Sequence, residues 1–143
     1  MTVALAASSL VFAIPAAFAF YVYVDDAAAW WWIGAPVALL FLTSMVRHST
    51  AVGLHPLVRG IDRAVAASVT IAYTGAAIRA GHAIPAACGA VAALMYGLSK
   101  VVSTRYNQPA HVVVHLAGAL GLTLHIAMLH ERMHAVAAWD ELS

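Results

Sequence analysis

The chain has 143 residues, of which 64% are hydrophobic and only 9% are charged, whereas a soluble domain usually carries about 25% charged residues. This composition excludes an ordinary soluble domain and favours an integral membrane protein. The formal net charge is +1, and no basic run is present to hold a nucleic-acid backbone, so nucleic acid is not an expected partner.

Five apolar stretches are long enough to cross a bilayer, because a hydrocarbon core about 30 Å thick needs roughly 20 helical residues. None of them shows the two-residue alternation of a β-strand. We therefore predict an all-α integral membrane bundle of about five transmembrane helices, forming a single domain over residues 1–143. The predicted spans cover residues 3–24, 28–46, 61–78, 83–102 and 109–129.

Charged, aromatic and proline residues set the boundaries of these spans. The first span ends at Asp25-Asp26, and the second opens with Trp30-Trp31-Trp32, which is typical of an interfacial aromatic belt. The third span ends at Arg79, and Pro109 suits the first turn of the fifth. Residues 129–139 are expected to form a short amphipathic tail on the outer side.

The first span also has features of a secretory signal peptide, because Ala16-Ala17-Phe18-Ala19 imitates a cleavage site. Its apolar part, however, is longer than the usual signal core of about 7–15 residues. A signal peptide would require a Lys or Arg before this apolar part, and none is present. We expect the span to be retained.

Basic residues are divided unequally between the two sides of the predicted bundle. With the amino terminus in the cytoplasm, the cytoplasmic side holds five basic residues and the opposite side holds two. Because cytoplasmic loops are enriched in Lys and Arg, we expect the amino terminus inside and the carboxyl terminus outside. The five basic residues assigned to the cytoplasm are Arg47, Arg59, Arg63, Lys100 and Arg105.

Polar side chains inside a span are costly and often mark a function. Ser44 and His48 lie four residues apart at the end of the second span, and therefore share one helix face. Asp62 begins the third span. His111 and His115, again four residues apart, begin the fifth. The alternation of the spans places all five residues near the cytoplasmic end of the bundle.

Three neutral imidazoles can complete a tetrahedral zinc site that leaves one position for water. A carboxylate could deprotonate that water, and a hydroxyl could hold a hydrogen bond to it. The spacing alone leaves three interpretations open: a catalytic zinc, a haem iron held by facing histidines, or groups that only hydrogen-bond inside the bundle.

The other histidines are weaker candidates. His55 and His82 fall in predicted loops and are expected to be in solvent. His125 lies roughly 15 Å deeper along the fifth span than the histidine pair, too far to share a metal with it. His130 and His134 belong to the outer tail and are expected at the interface.

These polar residues belong to a longer series of short motifs: Ser44-x-x-x-His48, Gly60-Ile61-Asp62-Arg63-Ala64-Val65, Ile71-Ala72-Tyr73-Thr74, His111-x-x-x-His115, Leu116-Ala117-Gly118-Ala119-Leu120 and His125-Ile126-Ala127. The series resembles the haemolysin III family and its relatives, the progestin and adipoQ receptors. Alkaline ceramidases share the same serine, histidine, aspartate and paired-histidine pattern. The resemblance covers the second, third and fifth spans, in a shortened form with room for five spans where the family has seven.

The resemblance implies a zinc ion held by His48, His111 and His115. It also implies that Asp62 contacts the zinc-bound water, and that Ser44 supports this water or a developing oxyanion. The implied activity is hydrolysis of an amide or ester bond in a membrane lipid, such as a ceramide.

Two other functions stay open. The small size, the Ala-rich faces and the near absence of soluble loops are also typical of a non-catalytic accessory subunit in a large membrane complex, for example a respiratory one. The other possibility is a haem-binding membrane anchor. Membrane lipids are expected partners in every case, and an accessory subunit would also have partner subunits.

Overall fold

The computed structural model describes residues 3–49, 55–102 and 104–140. Over these residues the chain is helical almost throughout and has no β-strand, which confirms the predicted all-α class. The α-helices are α1 (Val3–Ser9), α2 (Ala13–Tyr23), α3 (Ala27–Ala29), α4 (Ala35–Ser49), α5 (Pro56–Ala80), α6 (Ala83–Val101) and α7 (Thr104–Asp140). They pack against one another as a bundle.

The long, continuous helical segments of this bundle are called rods below, and two of them contain more than one type of helix. A 3-10 turn, Leu10–Phe12, joins α1 to α2, so residues 3–23 form the first rod. A π-helical turn, Trp30–Gly34, joins α3 to α4, so residues 27–49 form the second rod. With α5, α6 and α7, the described residues make five rods, as many as the predicted spans.

Four of the described helical stretches are long and apolar enough to cross a membrane, namely Leu5–Tyr23, Ala27–His48, Ala83–Val101 and Asn107–Val136. They correspond to the first, second, fourth and fifth predicted spans, and the chain is a multi-pass membrane protein. The third predicted span lies within α5, whose 25 residues suffice in length. Three charged residues in its first turns, Arg59, Asp62 and Arg63, make α5 less apolar than the others.

The last helix is longer than predicted. Residues 129–139 continue α7 as a single helix of 37 residues, instead of forming a separate tail. At about 1.5 Å per residue α7 is about 55 Å long, well beyond a hydrocarbon core of about 30 Å. Glu131 and Arg132 are exposed on this extension. Because Glu and Arg are good helix formers, their charges mark the end of the apolar region without ending the helix.

Local sequence explains where the rods begin and end. The Asp26 carboxylate accepts a hydrogen bond of 2.9 Å from the Ala29 backbone N–H and so caps the start of the second rod. Pro56 occupies the first turn of α5, where its missing N–H costs nothing. Gly81 ends α5 with a φ of 73°, in the left-handed region that favours glycine.

Only two of the three consecutive tryptophans face outward. Trp31 and Trp32 are 70% and 82% exposed, as an interfacial belt requires. Trp30 turns inward, where its ring packs edge-on against Phe20 at a centroid distance of 5.6 Å. The same ring covers Gly34, at which an added Cβ would overlap the Trp30 side chain. The π-helical turn therefore packs the second rod against the first.

The last helix, α7, contacts α1, α2, α5 and α6. It runs alongside the first rod in the same direction, since Ser8 lies beside His115 and Tyr23 beside His130. The buried apolar cluster joins both rods to α5 and α7, and consists of Phe12, Ala19, Tyr23, Val37, Leu40, Val69, Ala119, Leu122 and Ile126. The end of the bundle that carries Ser8 and His115 is called the site end below.

Small residues bring α6 and α7 close together. A Cβ added to Gly121 would lie 2.8 Å from Cys88 Cβ and 3.4 Å from the Pro85 carbonyl oxygen. Close backbone approach of this kind is the usual basis of helix association in lipid, where apolar surface gives no net driving force.

Candidate metal centre

Three histidines converge at the site end of the bundle. His48, His111 and His115 each offer a ring nitrogen, and these nitrogens all lie within 4.8 Å of one another. The ring centroids are 4.8 Å apart for His111 and His115, 5.2 Å for His48 and His115, and 5.4 Å for His48 and His111. This histidine triad can hold one metal ion.

Helix geometry accounts for this convergence. His111 and His115 are one helical turn apart on α7, so their rings lie next to each other on a single face. His48 lies in the last turn of α4 and reaches the same face of α7. His48 and His115 are each only 5% exposed, so the triad is largely shielded from its surroundings.

Ser44 lies one turn before His48 and is buried, with an exposure of 2%. Its hydroxyl donates a hydrogen bond of 3.1 Å to Ser9 Oγ, and Ser9 in turn donates to the Leu5 carbonyl oxygen. Because its single hydrogen is used in this way, Ser44 Oγ has only lone pairs left to offer toward the cavity that it lines.

Asp62 also lines this cavity, from the second turn of α5. Among the described residues, its carboxylate does not belong to the group of potential ligands that the triad forms. Arg47, Arg63 and Lys100 line the cavity as well. The structure therefore brings all five predicted site residues to one cavity, with three histidines in mutual contact and the carboxylate on the wall of the same cavity.

The sequence interpretation missed one residue of this site, Ser8. Its Oγ lies 2.8 Å from His115 Nδ1, inside the protein. Phe12, one turn further along the first rod, places its ring edge-on to His115 at a centroid distance of 5.4 Å. The only available signal was a pair of hydroxyls, Ser8-Ser9, within an otherwise apolar span.

The cavity extends from the triad deep into the bundle and has a volume of about 110 Å³. Its lining on α6 runs from Lys100 at the site end to Pro85. These residues are 15 positions apart, or about 22 Å along the helix axis. Apolar side chains and threonines line the middle of the cavity, including Leu40, Val69, Thr70, Thr74, Val114 and Leu122.

At the opposite end of the cavity, called the far end below, His125 lines the wall and contacts a second histidine, His82. The prediction that His82 is in solvent is wrong, because its side chain is only 3% exposed. His82 Nδ1 lies 3.1 Å from His125 Nδ1, and the His125 ring packs edge-on against Tyr73. The chain turn before α6 folds inward over α7, and this burial replaces the solvent contact expected for a loop residue.

The remaining histidines lie outside both groups. His55 is exposed, as predicted. His130 and His134 pack ring against ring on α7, with centroids 4.2 Å apart. His125 is not part of the triad, which agrees with the expected separation along α7.

Comparison of the chain with protein-family models, with curated proteins and with solved structures finds no match.

Proposed function

We propose that the protein is a zinc-dependent integral membrane hydrolase that acts on an amide or ester bond of a lipid. The observation that carries the proposal is the histidine triad, three imidazoles gathered at one end of a cavity inside a membrane bundle. Ionisable groups in this setting are costly to bury and are kept where they serve a function.

The donor set suits zinc. Tetrahedral zinc with Zn–N bonds of about 2.0–2.1 Å places its ligand nitrogens about 3.4 Å apart. The triad nitrogens lie within 4.8 Å of one another, so small ring rotations are sufficient to reach that spacing. Three histidines leave the fourth position for water, which is the arrangement of catalytic rather than structural zinc sites.

The geometry favours zinc over haem. Two axial imidazoles on a haem iron face each other across a flat macrocycle. In the triad, each ring centroid lies within 5.4 Å of the other two, so the third ring occupies the space that a macrocycle would need between any two.

A bound zinc would lower the pKa of a water ligand to about 7 and polarise a carbonyl group. Asp62 is the carboxylate that would accept the proton of such a water. Ser44, whose hydrogen is donated to Ser9, would accept a hydrogen bond from the water instead of donating one to an oxyanion. Of the two roles that the resemblance implies for Ser44, this hydrogen bonding supports the first.

A lipid substrate follows from the position and lining of the cavity. The cavity lies within helices that cross a membrane, and its middle is walled largely by apolar side chains such as Leu40, Val69 and Leu122. An acyl chain is the ligand that this lining favours. The order of Ser44, His48, Asp62 and the histidine pair, which resembles that of alkaline ceramidases, supports a lipid amide within this class.

The test is hydrolysis of a panel of lipid amides and esters in mixed micelles by zinc-loaded wild-type protein and by Asp62→Asn. We expect turnover by the wild type and a loss of about 10²–10⁴-fold in Asp62→Asn, since that is the usual contribution of a general base. Elemental analysis of the same samples should give about one zinc per chain in both proteins.

The control is His55→Ala, which changes an exposed histidine away from the cavity and should leave turnover intact. Purified wild-type protein without metal would refute the zinc hydrolase. Stoichiometric zinc without turnover on any lipid of the panel would favour the accessory subunit, with the triad as a non-catalytic metal site.

A further inference from the structure

We infer that Ser8 is a positioning residue that fixes the ring orientation and the tautomer of His115 as a metal ligand. The inference rests on the proposed zinc site and deepens it. It assigns to the first rod a part in the site that neither the motifs nor the spacing of the histidines indicates.

The Ser8 hydroxyl has two hydrogen-bond neighbours and one hydrogen. Ser8 Oγ lies 3.0 Å from the Leu5 carbonyl oxygen and 2.8 Å from His115 Nδ1. A hydroxyl has one hydrogen to donate, and a carbonyl oxygen can only accept. In the arrangement that we infer, the Ser8 hydrogen goes to Leu5 and Ser8 Oγ accepts a hydrogen bond from the Nδ1–H of His115, the direction that leaves the other ring nitrogen for a metal.

This hydrogen bond leaves Nε2 of His115 available to a metal. A neutral imidazole carries one N–H, so a hydrogen on Nδ1 leaves Nε2 of His115 with a free lone pair. A metal ligand needs that lone pair, and a hydrogen bond from the opposite nitrogen is the usual means of holding the correct tautomer and increasing the basicity of the ligand. Ser8 provides this bond from a different rod.

Both partners of this hydrogen bond are buried. Ser8 is 7% exposed and His115 is 5% exposed, and the Phe12 ring packs against His115 beside the hydroxyl. Water has little access to replace the hydroxyl if it is removed. Truncation of Ser8 would leave the Nδ1–H unpaired in an apolar environment and free the ring to take the other tautomer.

The neighbouring serine supplies a matched control. Ser9 is also buried, also belongs to α1 and also donates to the Leu5 carbonyl oxygen. Its second partner, however, is Ser44 and not a histidine of the triad. Ser8→Ala and Ser9→Ala remove the same atom from adjacent positions, and only the first removes a contact with a proposed zinc ligand.

The experiment is a zinc titration of detergent-purified wild type, Ser8→Ala and Ser9→Ala in competition with a chromophoric chelator. We expect the Kd of Ser8→Ala to rise about 10–100-fold, which is the usual effect of losing such a partner, and that of Ser9→Ala to change far less, because Ser9 contacts Ser44 and no histidine of the triad. With cobalt in place of zinc, the visible ligand-field spectrum should change more in Ser8→Ala than in Ser9→Ala. Size-exclusion profiles and thermal unfolding without metal identify any general loss of folding.

Equal zinc affinities and cobalt spectra for wild type and Ser8→Ala would overturn the role of Ser8 and leave the proposed zinc site standing. Equal losses in both variants would show that the effect does not depend on the contact between Ser8 and His115, and would also overturn the role of Ser8. Wild-type protein that binds no zinc would remove the zinc site and the role of Ser8 together.

Discussion

The two buried groups of histidines, at opposite ends of one cavity, satisfy their nitrogens in different ways. At the far end, His82 Nδ1 and His125 Nδ1 lie 3.1 Å apart, the distance of a hydrogen bond between one nitrogen of each ring. At the site end, three rings direct nitrogens toward a common region, within 4.8 Å of one another. Converging lone pairs repel unless a cation or a proton lies among them. Burial of a histidine in a membrane bundle is therefore weak evidence for a metal, and the arrangement of its nitrogens is the stronger evidence.

The two groups of histidines should differ most in how single variants change the zinc content of the protein. His115→Ala removes a member of the triad and should abolish stoichiometric zinc binding, because two histidines alone hold zinc far more weakly than three. His125→Ala removes a histidine of equal burial from the same helix and should retain about one zinc per chain. Elemental analysis after dialysis measures both. Retention of zinc by His115→Ala, or its loss from His125→Ala, would contradict the proposal that zinc binds to the triad at the site end.

Much of the site-end geometry was predictable because it follows from helix periodicity and from the alternation of spans. His111 and His115 share a face at a spacing of four residues whatever the tertiary fold. His48 meets them because the second span ends on the side where the fifth begins. The helical class and most span positions follow in the same way from the lengths of the apolar stretches, since lipid leaves the backbone few alternatives to a helix.

The features that the sequence did not reveal depend on how elements pack. His82 lies in a short turn, three residues before Pro85, which is typical of solvent exposure, and only the docking of that turn on α7 buries it. A hydroxyl in an Ala-rich span can bond to its own helix backbone, so the sequence did not single out Ser8. The length of α7 was underestimated because hydropathy falls at Glu131 while helix propensity does not.

The middle of α7 connects the two ends, and its packing on α6 provides the next prediction. Gly121→Ala would place a Cβ 2.8 Å from Cys88 Cβ and should lower the free energy of unfolding by about 1–3 kcal/mol, as overpacking usually does. Gly97→Ala, on α6 with no atom within 4 Å of the added Cβ, should raise it by up to about 1 kcal/mol. Unfolding by SDS in mixed micelles measures both, and a neutral Gly121→Ala would mean that α6 and α7 are less closely packed.

The smallest expected effect tests the far-end pair as a structural contact. In a double-mutant cycle of His82→Ala and His125→Ala, we expect a coupling energy of about 0.6 kcal/mol and no more than about 1.7 kcal/mol, the range found for hydrogen bonds between membrane helices. His82→Ala combined with His111→Ala changes one histidine at each end, and the two effects should be additive within about 0.5 kcal/mol. The measurement is again unfolding by SDS, on metal-free protein so that zinc binding does not contribute. Zero coupling between His82 and His125 would show that the pair does not fasten the turn before α6 to α7. A coupling energy far above this range would indicate that the two rings share more than a hydrogen bond, and the distinction between a hydrogen-bonded pair and the proposed metal site would no longer hold.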